Sequence, residues 1–196
     1  LTGGGQPVDF CHRSLVLGDT SIHQVRYGRE ATVEAPPVDH VFLAMFTLAG
    51  NALIDQGGGS FEAAAGSICI LNPARHLRIR LSGDFEQLTV KLDSGLLRRA
   101  LLESGDCDLR HDLGFTSRAY DLAVHPSGFA RLVDCICADM CRAGSRCETP
   151  ATAPHLERAL GGLLVNEFDH NYSRLLESSC RGPAPAALRR AEEFML

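Results

Sequence analysis

No stretch of this 196-residue sequence stays apolar for the roughly 20 residues that a membrane-spanning helix needs. The opening Leu1-Thr2-Gly3-Gly4-Gly5 has no basic segment followed by an apolar one, which argues against a secretory signal. It also lacks an initial Met, so the chain reads as a processed or engineered fragment. Basic residues are in deficit, with 19 Lys and Arg against 24 Asp and Glu and a formal net charge of −5. A free-standing nucleic-acid binder would carry a basic stripe instead. The short pairs Arg98-Arg99 and Arg189-Arg190 read as solvated helix faces. Tryptophan is absent. Gly57-Gly58-Gly59 has no Lys-Ser or Lys-Thr behind it and opens no helix, so it is no phosphate cradle. With Ser60 it does not make a Gly-x-Ser-x-Gly nucleophile elbow either. Asp134 and Asp139 lack a partner for paired-carboxylate catalysis. Nowhere does a His-x-His pair occur.

What is present suits a globular domain. The chain is 45% hydrophobic and 22% charged, and its length allows a core without covalent staples. Eight cysteines are many: Cys11, Cys69, Cys107, Cys135, Cys137, Cys141, Cys147 and Cys180. Most lie in apolar or helical stretches, where a free thiol acts as a small hydrophobe. Free thiols in a reducing cytoplasm are therefore expected. The cluster Cys135, Cys137, Cys141 and Cys147 invites a zinc reading, since structural zinc wants four converging ligands. On a helix, however, Cys135 and Cys137 point about 160° apart. Only Cys137 and Cys141 share a face, and packing beside Val133 and Met140 accounts for them.

The chain has two halves of different period. Residues 14–92 alternate short apolar runs with turn signals, the pattern of a sandwich or barrel. Strands are expected at Ser14–Gly18, Ile22–Tyr27, Val41–Leu48, Ala52–Ile54, Ser67–Leu71 and Leu77–Leu81, with a last one carrying Leu88, Val90 and Leu92. Val41–Leu48 is nearly all apolar, so it should be buried on both faces. Gly50-Asn51 supplies a hairpin turn. Thereafter the period is helical. Ser94 can cap a helix ending at Gly105. A second helix follows Pro126, with Phe129, Leu132, Val133, Ile136 and Met140 on one stripe. A third begins near Pro154, with a stripe of Leu156, Ala159, Leu160, Leu163 and Leu164. Gly182-Pro183-Ala184-Pro185 reads as a linker into a further helix, Ala186 to Leu196.

The order of these elements resembles AraC-family transcription regulators. Leu188, Ala191, Phe194 and Met195 fit the opening of that family's DNA-binding domain. Leu15-Val16-Leu17-Gly18-Asp19, the Gly50 hairpin, the Gly57-Gly58-Gly59 turn, Gly66 to Leu71 with Asn72-Pro73 and His76, Phe85 to Leu88, and Leu96-Leu97 resemble its effector domain. Ala65-Gly66-Ser67 departs from the family's common Pro-Gly-Asp turn. The resemblance implies an α+β chain. Residues 10–105 would form a double-stranded β-helix (cupin or jelly-roll barrel). Residues 106–181 would form a C-terminal helical subdomain for dimerisation, and residues 182–196 a linker and the start of a helix-turn-helix domain. It further implies a small-molecule effector, a homodimer, and DNA contact only through a domain missing from this chain.

Many cupins are metalloenzymes, and a stand-alone dioxygenase- or isomerase-type cupin or a metal-free binding module are the rival readings. Mononuclear iron sites take two His and a carboxylate. Here the set is missing and His40 stands alone, so no metal, cofactor or catalytic residue is expected. For the effector, which would be anionic or aromatic, the candidates are His76 and Arg78, which alternate with Leu77, Ile79 and Leu81. An Arg fork suits a carboxylate. The alternative is that His76, Arg78 and Arg80 face solvent. Arg26 has the same ambiguity. Phe46 and Leu48 complete the expected pocket as barrel lining. The Leu160 stripe with Gly161-Gly162 is the expected dimer contact.

Overall fold

The computed structural model describes residues 10–37, 39–105, 109–142, 147 and 149–180. The expected linker and final helix, 182–196, lie outside the described residues, as does the side chain of Cys180. Ten strands and four helices follow one another: β1 (Cys11–Leu17), β2 (Thr20–Arg26), β3 (Ala31–Ala35), β4 (Val41–Ala49), β5 (Asn51–Gln56), β6 (Gly59–Ala64), β7 (Ser67–Leu71), β8 (Leu77–Leu81), β9 (Glu86–Asp93), α1 (Ser94–Ser104), β10 (Ala119–Asp121), α2 (Gly128–Met140), α3 (Ala153–Glu167) and α4 (Ser173–Cys180). The strands form two antiparallel sheets. The larger has the order β1-β2-β9-β4-β7-β10 and the smaller β3-β8-β5-β6.

Strand β4 explains the architecture. It lies inside the larger sheet, between β9 and β7. Its even residues Phe42, Ala44 and Phe46 join a core with the helices, while Met45 joins a second core between the sheets. A strand so placed must be apolar on both faces, as its sequence is. Strand β8 instead buries only Leu77, Ile79 and Leu81 and exposes Arg78 and Arg80. Its outer face meets water.

The helices cover the outer face of the larger sheet. Phe129 of α2 is fully buried and stacks on Phe46, with ring centroids 6.0 Å apart. Leu97, Ala100 and Leu101 of α1 and Leu160, Leu164 and Val165 of α3 join the same core. Asp93, rather than Ser94, caps α1: its carboxylate accepts from the Gly95 amide at 2.8 Å. Helix α3 is tied at both ends. Glu157 accepts from the amides of Asp19 and Thr20 in the β1–β2 turn, each at 2.8 Å. Glu167 accepts from the Ser127 hydroxyl and from the Gly128 and Phe129 amides, at 2.6, 2.9 and 3.1 Å, at the start of α2. A carboxylate there also answers the helix dipole.

The expected dimer stripe is spent inside the fold only in part, since Leu156 and Leu163 are half-buried and Ala159 is exposed. Leu160 and Leu164 have no exposed surface. A Cβ on Gly161 would lie 3.3 Å from Leu96 and 3.4 Å from Ala100, so this glycine lets α3 sit against α1. Gly162 faces open space. The two helices meet at Gly161, beside the buried Leu160 and Leu164.

Candidate functional site

The expected pocket residues are not brought together. Phe46 points away from the barrel interior, onto Phe129, because its pairing partner Leu88 belongs to the helix-facing row. Leu48 sits where the β4–β9 register shifts, between Thr47 and Ala49, and is 47% exposed. That bulge turns it out of both cores. Arg26 lies exposed at the end of β2, on the row of Ile22 and Gln24. Arg78 projects from the outer face of the smaller sheet and pairs with Glu34 at 2.6 Å. Arg80 lies 3.8 Å from Asp55. Only His76 and Arg78 share a hollow, an open one of about 640 Å³ with Glu34, Asp55, Gln56, Gly57–Gly59 and Ser60.

The inner face of the larger sheet carries a different set. On β2, Ile22 faces the helices, so Ser21, His23 and Val25 face inward. Their partners on β9 are Lys91, Thr89 and Gln87. His12 on β1 faces the same way, opposite Val25. Its ring stacks on that of His23, with centroids 5.4 Å apart, and Nε2 of His12 shares a hydrogen bond with Nδ1 of His23 at 3.2 Å. The other nitrogen of His23 lies 2.9 Å from the Ser21 hydroxyl. Phe10 meets Tyr27 edge-on at 5.8 Å beside His12. A hydroxyl, an imidazole pair and an ammonium therefore share the inner row at the β1-β2-β9 end of the sheet, where His12, Lys91 and Phe10 are exposed.

Two hydroxyls mark the deeper part of this surface. Thr47 and Thr89, 1% and 8% exposed, sit on the inner rows of β4 and β9, and neither Oγ1 has a hydrogen-bond partner. Buried hydroxyls are normally satisfied. Burial, and after it His12 and Lys91, depress the His23 pKa. A bound anion would oppose those influences.

Redox and metal chemistry find less support. Cys69 is buried and burial pushes its thiol up to about 12. Cys137 is raised by burial, then by Cys141 and Asp134. Raised thiols are poor nucleophiles. Among the described residues, no group of three or more His, Cys, Asp and Glu side chains is placed to hold a metal ion.

Sequence reasoning missed His12, His23, Thr89 and Lys91. The signal lay in Ser21-Ile22-His23, where buried Ile22 assigns both flanking polar residues to the opposite face, and in the polar residues between Leu88, Val90 and Leu92.

The model of the AraC-binding-like domain matches residues 1–165. The XylDLEGF operon transcriptional activator 1 of Pseudomonas putida is 26% identical over 174 residues, which are 89% of this chain and 52% of that protein. A second XylDLEGF operon transcriptional activator from the same organism is 25% identical over 174 residues, again 89% of this chain and 52% of its own. This chain thus spans about half the length of the curated relatives it matches. Among solved structures, the AraC-like transcriptional activator CuxR aligns with a TM-score of 0.58 at 15% identity, over 80% of this chain and 54% of that one. It supports the fold, a pair of sheets with accompanying helices. The match across residues 1–165 and the regulators among its relatives settle the assignment: the chain belongs to the AraC-binding-like domain family.

Proposed function

We propose that this chain is the effector-sensing part of a transcription regulator, and that its effector is a small organic anion held at the inner face of the larger sheet. The observation that carries the placement is the inward row of Ser21, His23, Thr89 and Lys91, with the buried Thr89 and Thr47 hydroxyls lacking a protein partner. A carboxylate there would face Lys91 and the His12–His23 pair, and the Phe10–Tyr27 pair would cover an apolar part. DNA contact belongs to a further domain of the full-length regulator, which would act in the cytoplasm. The net charge of −5 opposes binding of a polyanion by this chain alone. Residues 106–181 would form the helical subdomain next to the barrel, within 10–105. Dimerisation, implied by the family resemblance, would use a surface that leaves Leu160 and Leu164 buried, and light scattering on the 196-residue chain reads it.

The test is a thermal-shift screen with small aliphatic and aromatic carboxylates. A ligand that binds only the folded state raises its melting temperature. The expected result is a shift abolished by Lys91→Ala and reduced by His23→Gln. A shift abolished instead by His76→Ala with Arg78→Ala would place the effector in the outer hollow. No shift with any carboxylate would remove the anion from the proposal.

A further inference from the structure

A groove opens on the other side of β4, where the barrel meets the helices, and the effector reading makes no use of it. Its volume is about 770 Å³, within the usual range for small-molecule sites. Phe42 of β4, Phe115 of the loop before β10 and Tyr172 at the start of α4 supply aromatic walls, each at most 5% exposed. Phe42 and Phe115 meet edge-on at 5.5 Å. Arg75, from the β7–β8 turn, and Arg98, from α1, stand at the rim.

The groove is built rather than left over. Asn72 grips Phe115 through both ends of its amide: Nδ2 donates to the Phe115 carbonyl at 2.9 Å and Oδ1 accepts from the Phe115 amide at 2.7 Å. The Tyr172 hydroxyl donates to the His111 carbonyl at 2.7 Å and accepts from the His111 amide at 2.8 Å. Asn171 holds the Gly114 amide and the Asp112 carbonyl in the same manner, at 3.0 and 2.9 Å. The loop wall is thus fixed with these backbone groups satisfied. Such preorganisation lowers the entropic cost of binding.

A further fact points to a ligand. Among the described residues, His40 and Ala74, with φ of 62° and 56°, are the non-glycine residues in the left-handed region, and both line this groove. That conformation persists where surrounding structure enforces it, and it clusters at binding sites. The rim arginines can serve a ligand, as exposed Arg13, Arg99, Arg131 and Arg174 could elsewhere on the surface. Arg78, Arg118 and Arg158 are held in ion pairs. Arg75 and Arg98 have no ion pair or hydrogen bond among the described residues. Asp39 and Asp112 also line the groove, which disfavours a polyanion and leaves room for a single negative charge.

We propose that this groove is a second ligand site, for a planar aromatic acid with one carboxylate, whose ring lies against Phe42, Phe115 and Tyr172 and whose carboxylate meets Arg75 and Arg98. Such a ligand would bridge β4, the β7–β8 turn, α1 and the start of α4. It would tie the barrel to the helices at a point separate from the barrel interior.

The probe is 2-naphthoate, with 2-naphthamide as its neutral counterpart, titrated calorimetrically into the 196-residue chain. The expected result is saturable binding of 2-naphthoate that weakens about tenfold or more in the Arg75→Ala/Arg98→Ala variant, the cost of a lost charge-assisted contact. Binding of 2-naphthamide should be weak and the same in both proteins. Lys91→Ala should leave 2-naphthoate affinity unchanged, which separates this site from the barrel interior. In spectra assigned by residue, His111 and Tyr172 should shift on titration, while His12 and His23 stay in place. Both arginines are exposed, so an unchanged melting temperature confirms that the double variant is folded. Failure of 2-naphthoate to bind, full affinity in the double variant, or shifts confined to His12 and His23 would each overturn the proposal. None of these results removes the effector from the barrel interior.

Discussion

The two faces of the larger sheet are built on opposite terms. The outer face meets the helices through Phe42, Ala44, Phe46, Ile68, Ile70, Val90 and Leu92, and every one of these side chains is buried among apolar neighbours. Its polar ties are Glu157 and Glu167, which receive five hydrogen bonds between them, and its one orphan among the described residues is the Thr20 hydroxyl at the start of β2. The inner face, one residue along on the same strands, carries His23, Thr47, Thr89 and Lys91, two of whose hydroxyls are orphaned. Orphaned buried polar groups cost stability. The contrast assigns stability to the outer face and recognition to the inner one, since a ligand can repay there what folding alone does not.

The strongest way to break this comparison is to hollow out the outer face. Phe129 is fully buried, stacked on Phe46 and edge-on to Phe168 at 6.3 Å. Phe129→Ala should cost about 3–5 kcal/mol, a large part of the stability of an ordinary domain. Urea denaturation measures it. In the fraction that stays folded, affinity at the inner face should be unchanged. A cost under about 1 kcal/mol would show that α2 is not stabilised through this ring.

Next in size is Asn72→Ala. The Asn72 side chain is buried and holds both the amide and the carbonyl of Phe115, while its backbone exchanges two hydrogen bonds with Gln56, at 3.1 and 3.0 Å. The substitution leaves the Phe115 groups unpaired and should cost about 2–3 kcal/mol. It should also loosen the loop 109–118, read as faster amide exchange at Phe115. Unchanged exchange would mean that the loop is held by Asn171 and Tyr172 alone.

How much of this was legible follows from where apolar side chains alternate with polar ones. Strand β8 was readable with its facing, because Leu77, Ile79 and Leu81 stand between arginines. Strand β4 was readable as buried on both faces, and for that reason its facing was not: an all-apolar run has no polar residue to say which side is the interior. Phe46 was therefore assigned to the barrel lining, whereas its pairing with Leu88 sends it to the helices. Strand β3 was missed because Ala31, Val33 and Ala35 are small and only half buried. Strand β6 begins on Gly59, which the sequence places in a turn, and β10 has three residues, too few to carry an alternating pattern. The seam groove joins residues from positions 39 to 172, a convergence that pairing and helix docking decide rather than local pattern.

A smaller effect sharpens the contrast by reversing the usual sign. Thr89→Val keeps the shape of the side chain and removes an unpartnered hydroxyl. In the absence of ligand it should be neutral or stabilising, by up to about 1 kcal/mol. With ligand, the melting shift given by a carboxylate should shrink. A destabilised ligand-free variant would show that Thr89 has a hydrogen-bond partner in solution.

The least effect, and the most specific, is the response of the inner face to pH. His23 in the unfolded chain titrates near 6.5, and in the folded chain below it, through burial and then through the charges of His12 and Lys91. As pH falls through 6.5, the unfolded state takes up this proton first. Stability therefore declines with falling pH from that point, and the loss is complete once the folded His23 is also protonated. His170 adds to the same trend, since burial depresses it against the opposing pull of the Val165 carbonyl and Asp169. His23→Gln should make the decline between about pH 7 and pH 5 shallower without removing it, because His170 remains. Lys91→Met should raise the His23 midpoint in an NMR titration by removing the ammonium that helps to depress it. A carboxylate bound at the inner face should raise it further, so its affinity should increase as pH falls and His23 takes its proton. A His23 midpoint at or above 6.5 in the ligand-free protein, or an affinity indifferent to pH, would detach His23 from the anion and leave Lys91 as its only partner on that face.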